Sequence, residues 1–400
     1  MRRVVFYLFI IAVFLAAPLA ALPRRGETAP AATPAPTATA EPTAAAPYRA
    51  VWVSYLEWQQ VDFSTPETFS GDIAVILDNI RNLGATVVLA QVRPFGDALY
   101  PSSYYPFSHL CTGQQGRDPG YDPLALLVQA AHDRGLALEA WVNPYRIQAG
   151  LTPALCGASP AKLHPDWVKY TDTGAYLDPA NTAVRQYIAD AVGELCANYD
   201  VDGIHFDDYF YPTTDPAFDA ADYAASGTAL TQDDWRRENV NVLVELCHAT
   251  ARRYGVRFGA APAGDPEQNY TLQYSDAARW LRQGTVDYLM PQLYWGQEYI
   301  KNGDASHSFA QLAAAWAALP RAAGVKLYAG LGAYRVGAGD GSDAGSEWFS
   351  GHALADQLAL LARLGVQGAG LYRYGSLFAN SGAPALAESE AKAIKSVWQG

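Results

Sequence analysis

Along this chain, short stretches in which apolar and polar positions alternate are followed by longer stretches with helical spacing. Residues 49–55, 86–93, 137–145, 203–209, 257–263, 288–295, 326–334 and 368–374 predict strands, on alternation and on their β-branched and aromatic content. Between and after them, residues 65–83, 122–135, 181–198, 231–254, 274–283, 309–319, 352–364 and 384–398 predict helices, the first opened by Thr65 and Pro66. Eight strand–helix repeats predict a parallel (β/α)8 TIM barrel in one catalytic domain. The competing architecture, a doubly wound open sheet, usually places a Gly-rich phosphate turn after its first strand, and Ser54-Tyr55-Leu56-Glu57-Trp58 is not one.

Strand parity then predicts which side chains enter the barrel. In residues 86–93, Val88, Ala90 and Val92 form the helix-facing set, so Gln91 and Arg93 look into the lumen. In residues 137–145 the lumen set is Glu139, Trp141 and Asn143; in residues 203–209 it is His205, Asp207 and Tyr209, with Ile204, Phe206 and Asp208 opposite. Asp208 therefore sits at the rim. Polar and aromatic residues accumulate where the strands end: Arg93 to Asp97, Asn143 to Arg146, Asp207 to Tyr209, Pro262 to Asp265, Gln292 to Trp295, Tyr334-Arg335 and Tyr372 to Tyr374. A barrel collects all of these on its carboxyl-terminal face, where such enzymes keep their chemistry.

The amino terminus changes the picture of location. Arg2 and Arg3 precede an apolar run from Val4 to Leu22, so residues 1–22 are expected to act as an export signal or, uncleaved, as a membrane anchor through residues 4–22. Residues 23–47 are nearly all Ala, Pro, Thr and Glu, a composition for an extended tether. The catalytic domain is expected over residues 48–400, exported to the cell envelope or the medium.

Charge narrows the partners. A formal net charge of -12 excludes a general polyanion binder, so no nucleic acid is expected. The 25 Tyr and 10 Trp suit stacking on sugar rings as well as core packing. Seven His without a His-x-His or His-Glu-x-x-His pair predict no metal, and no cofactor is expected. A Gly-x-Ser-x-Gly elbow is missing too. Cys111 and Cys156 fall in loops after successive strands, where an exported protein could bridge them; the alternative is free thiols, and Cys196 and Cys247 fit helical core positions.

Glycoside hydrolysis needs one carboxyl group to protonate the leaving oxygen and a second to attack the anomeric carbon or activate water. Asp207 is the leading candidate for one; Asp208 and Asp97 are candidates for its partner, and Asp265 is a further rival. Glu139 shares the lumen parity but lies about 13 Å down its strand from Asn143; a buried ion pair, or a group that tunes a catalytic neighbour, is expected there. Asp200 and Asp202 precede their strand and are expected to cap. Gln292, Tyr294 and Trp295, with Tyr145, Tyr209 and Tyr211, are expected to supply hydrogen bonds and stacking surfaces for a sugar subsite.

Five blocks of this sequence, Arg49-Ala50-Val51-Trp52-Val53, Gln91 to Ser102, Ala140 to Arg146, Asp202 to Pro212 and Met290 to Trp295, resemble the signature blocks of the glycosyl hydrolase-like family 10 proteins. The resemblance implies an exported bacterial (β/α)8 glycoside hydrolase acting on cell-envelope polysaccharide. Some relatives are assigned to peptidoglycan glycan strands lacking stem peptides, and that substrate is expected here. The alternatives are another polysaccharide, capsular or dietary, or a non-catalytic barrel that binds envelope glycan. Carried over by position, the resemblance places Arg93, Asp97, Asn143, Tyr145, His205, Asp207, Gln292 and Tyr294 in the cleft.

Overall fold

A computed structural model describes residues 47–400. The export segment expected over residues 1–22 and all but the last residue of the linker expected over 23–47 lie outside the described residues. The eight strands all form: β1 Tyr48–Val53, β2 Val87–Arg93, β3 Ala137–Val142, β4 Gly203–Phe206, β5 Arg257–Ala260, β6 Tyr288–Leu289 resuming at Gln292–Leu293, β7 Lys326–Leu327 resuming at Ala329–Gly332, and β8 Gly368–Tyr372. All pairings among them are parallel. The first halves of β6 and β7 pair at one end of the sheet order and their second halves at the other. The sheet thus closes on itself as a TIM barrel.

Several strands stop two or three residues before the alternation ends, for a covalent reason. Pro144 and Pro262 follow β3 and β5, and Pro291 splits β6; a residue without an N–H cannot extend the ladder. After β4 the carboxylate takes over. The Oδ1 of Asp207 accepts the Tyr209 amide at 3.1 Å, closing a local turn instead of a further rung.

Parity sorts the core into two layers. Tyr48, Ala50, Trp52, Val87, Leu89, Trp141, Ala261, Tyr288, Met290 and Tyr328 fill the lumen. Their alternates, such as Val51, Val88, Leu138, Ile204, Phe258 and Leu331, pack outward under the helices. The lumen holds its large rings only where facing positions are small. A Cβ on Gly259 would stand 2.1 Å from the Tyr288 ring. Gly259→Ala is therefore expected to destabilise the barrel by about 1–3 kcal/mol through overpacking, read as a lowered thermal midpoint.

The helices begin on side-chain caps: Thr65 before Pro66–Leu83, Asn181 before Thr182–Asn198 and Thr231 before Gln232–Arg253. Residues 146–177 carry a feature the periodicity does not announce, an antiparallel sheet of Arg146–Ala149, Gly174–Leu177 and Val168–Thr171 inserted after β3. All four cysteines are free thiols. No helix among the described residues is long and apolar enough to cross a membrane.

Candidate active site

At the carboxyl ends of the strands lies a cleft of about 220 Å³ lined by Trp52, Trp141, Asp207, Asp208, Tyr209, Ala261, Gln292, Tyr294, Tyr334 and Tyr372. Larger grooves run along the outer helices, one of them past Asn79, Leu83, Phe378 and Lys392. That groove is lined by one carboxylate, Glu388, whereas the smaller cleft holds two adjacent ones.

Asp207 is buried, and Oδ2 accepts the Trp141 indole N–H at 3.1 Å and the Asn143 amide at 2.5 Å. Asn143 is itself held by the Gln91 amide, so β2 and β3 together aim the donors. Asp208 is half-buried and held from the other side: Oδ1 accepts Gln292 Nε2 at 3.0 Å and Oδ2 accepts Gln273 Nε2 at 2.9 Å. Burial, and next the charge of Asp208, push the Asp207 carboxyl up to about 7, against the pull of Arg146. Burial raises Asp208 as well, and its two amide donors oppose the shift. Adjacent carboxyls in one cleft cannot both ionise freely, so the two titrate as a pair, with both carboxyls raised.

Below the cleft a chain of hydrogen bonds descends through the lumen. The Trp52 indole donates to His205 Nε2 at 3.2 Å. An indole only donates, so the imidazole proton sits on Nδ1, 2.7 Å from the Tyr288 hydroxyl. Tyr288 in turn donates to Glu139, as does Tyr48 at 3.1 Å. Burial holds His205 near 3, so the ring is neutral. Glu139 is fully buried and pairs with Arg257 Nε at 2.7 Å, a charge contact whose N–H is not aligned as a hydrogen bond. The buried ion pair expected from parity is present.

A family model described as glycosyl hydrolase-like 10 matches residues 47–350. This chain belongs to that family. It is 35% identical over 315 residues to glycosyl hydrolase YngK of Bacillus subtilis, with 72% of this chain and 61% of the relative aligned. It is 35% identical over 331 residues to glycosyl hydrolase DigH of Escherichia coli K12, covering 73% of this chain and 74% of the relative. The chain thus spans about three fifths of the length of the B. subtilis protein. Among solved structures, the glycoside hydrolase domain of PgaB from Bordetella bronchiseptica aligns over 86% of this chain and 98% of its own, at TM-score 0.53 and 16% identity. The β-amylase catalytic domain from Paenibacillus polymyxa aligns over 87% and 98%, at TM-score 0.57 and 14% identity. These likenesses show the barrel fold; family membership supports a glycosidase-type function.

Of the residues expected in the cleft, Asp207, Asp208, Tyr209, Gln292 and Tyr294 line it, and Asn143 and His205 stand directly behind it. Asp208 corrects the parity reading, because β4 ends at Phe206 and both carboxylates turn inward. Asp97 is not among the residues that line the cleft. It is fully buried, and Oδ2 accepts the backbone N–H of His109 at 3.2 Å beside that residue's ring at 2.9 Å. Arg93 is displaced by a register shift: Gln91 pairs with Trp141 but Arg93 pairs with Val142, which turns its side chain out of the lumen. Its guanidinium lies 4.2 Å from the Tyr105 ring centre in the outer layer. Tyr145 is likewise buried in the outer core, and Trp295 turns toward His307, ring centres 5.6 Å apart.

The cleft also recruits Trp52, Trp141, Tyr334 and Tyr372, each at or near a strand end where alternation puts it on the lumen side. Gln273 had no such signal. It lies in a loop after β5, next to Tyr274 in the left-handed region at φ 53°.

Proposed function

We propose that this protein is an exported glycoside hydrolase that cleaves cell-envelope polysaccharide, with peptidoglycan glycan strands lacking stem peptides as its substrate. The observation that carries the reading is the Asp207–Asp208 pair, two adjacent carboxyls opening on a cleft walled by Trp and Tyr rings. Protonated Asp207 supplies the proton to the leaving oxygen, and ionised Asp208 stabilises the cationic sugar that develops as the bond breaks. Aromatic walls offer sugar rings apolar faces. A cleft of about 220 Å³ favours a bare sugar over one bearing a peptide, in keeping with the resemblance to proteins that act on peptide-free strands.

The test is to incubate purified protein with peptide-free and peptide-bearing peptidoglycan side by side and measure reducing ends. Release from the peptide-free strands alone is expected. Binding to the strands without release would make the barrel a glycan-binding protein.

The pH profile follows from the same pair. Activity falls with rising pH as Asp207 loses its proton through about 7, and falls at low pH as Asp208 gains one. The Arg146 guanidinium favours the ionised form of both carboxyls. Arg146→Met therefore raises both pKa values and is expected to move the kcat/KM profile to higher pH by about 1 unit.

A further inference from the structure

Hydrolysis by two protein carboxylates needs them on either side of the scissile bond. Both cleft carboxylates here come from consecutive positions at the end of β4. The other acids near strand ends are engaged elsewhere. Glu57 is buried and accepts from the Ser54 amide at 2.8 Å and from Arg373. Asp97 is buried under His109. Asp265 caps the helix Pro266–Thr271 and meets His307 at 3.1 Å. The walls contributed by β1 and β6 to β8 are Trp52, Gln292, Tyr294, Tyr334 and Tyr372, and carry no carboxylate. Tyr294 and Tyr372 face this side of the cleft with their ring centres 5.6 Å apart.

Resting on the glycosidase reading above, we infer that the nucleophile opposite the acid belongs to the substrate: the carbonyl oxygen of a 2-acetamido group on the sugar whose bond is cut. The enzyme then takes 2-acetamido hexosyl units, and Asp208 binds the acetamido N–H. The apolar floor of Trp52 and Ala261 seats the acetamido methyl.

In the first step the acetamido oxygen bonds to the anomeric carbon as the glycosidic C–O bond breaks. The released electron pair goes to the leaving oxygen, which takes the Asp207 proton. Asp208 balances the positive charge of the resulting cyclic oxazolinium. In the second step water attacks the anomeric carbon and gives its proton to Asp207, while the ring C–O bond returns its electron pair to the acetamido group. One water is consumed, and the anomeric configuration is retained.

Two measurements on the same protein decide this. A sugar thiazoline, the stable sulfur analogue of the cyclic intermediate, is titrated calorimetrically into wild type and Asp208→Asn. The first anomer released from peptide-free glycan strands is read by NMR. Expected are thiazoline binding, weakened roughly 10- to 100-fold in Asp208→Asn by loss of a charged hydrogen-bond acceptor, and a retained anomer. Reducing-end release with inversion, or without thiazoline binding, overturns the inference and leaves the glycosidase reading standing. Neither release nor thiazoline binding overturns both.

Discussion

Asp207→Asn is expected to lower reducing-end release from peptide-free glycan strands by between about 100- and 10,000-fold, the range a positioned general acid contributes. The amide cannot give its proton to a leaving oxygen. Stability is expected to change far less, because two effects oppose each other. The variant removes a carboxyl kept close to Asp208, but three donors converge on the native side chain, from Trp141, Asn143 and the Tyr209 amide. An Asn side chain offers one oxygen to them, so one donor is left facing an NH2, at a cost of about 1–3 kcal/mol. Activity and thermal midpoint measured on the same preparation separate the two. Wild-type rates in a folded variant would remove Asp207 from the mechanism.

The largest loss of stability is expected from Asp219→Ala. Asp219 and Arg236 are both buried and joined at 2.5 Å. Arg236 also donates to the carbonyls of Thr214 at 3.3 Å and Asp215 at 2.7 Å and to the Tyr274 hydroxyl at 2.9 Å. One guanidinium therefore clamps the loop after the catalytic pair to the residue beside Gln273, which holds Asp208. Truncating Asp219 strands that charge in the interior, where breaking a buried pair costs about 3–5 kcal/mol. A lowered denaturant midpoint measures the cost. Because Gln273 loses its anchor, activity should fall below the level expected from the folded fraction alone; an unchanged specific activity would show that the clamp does not reach the site.

The barrel was legible because side-chain parity is a local property. Trp52, Trp141, His205 and Tyr288 alternate with apolar residues bound for the helix layer, and each lies in the lumen. Parity failed where the backbone departed from a regular strand. The register shift before Arg93 reverses its side, and the turn at Asp207 brings Asp208 inward; neither break changes the hydrophobic pattern that precedes it. Asp97 looked like a strand-end acid but is consumed by its own loop, a partner choice visible only once His109 is in place. Gln273 joins the site through Tyr274 and Arg236, a long-range contact with no trace in spacing. The inserted antiparallel sheet escaped for a similar reason, its strands being four residues each and too short to show a period.

The central claim, that the Asp207–Asp208 cleft hydrolyses glycosidic bonds, is tested most directly by digesting peptide-free glycan strands in heavy-oxygen water and weighing the fragments. Hydrolysis predicts that every newly formed reducing end carries one heavy oxygen, and that Asp207→Asn forms almost none. Intact strands after digestion by the wild type, or new ends without the label, would contradict it.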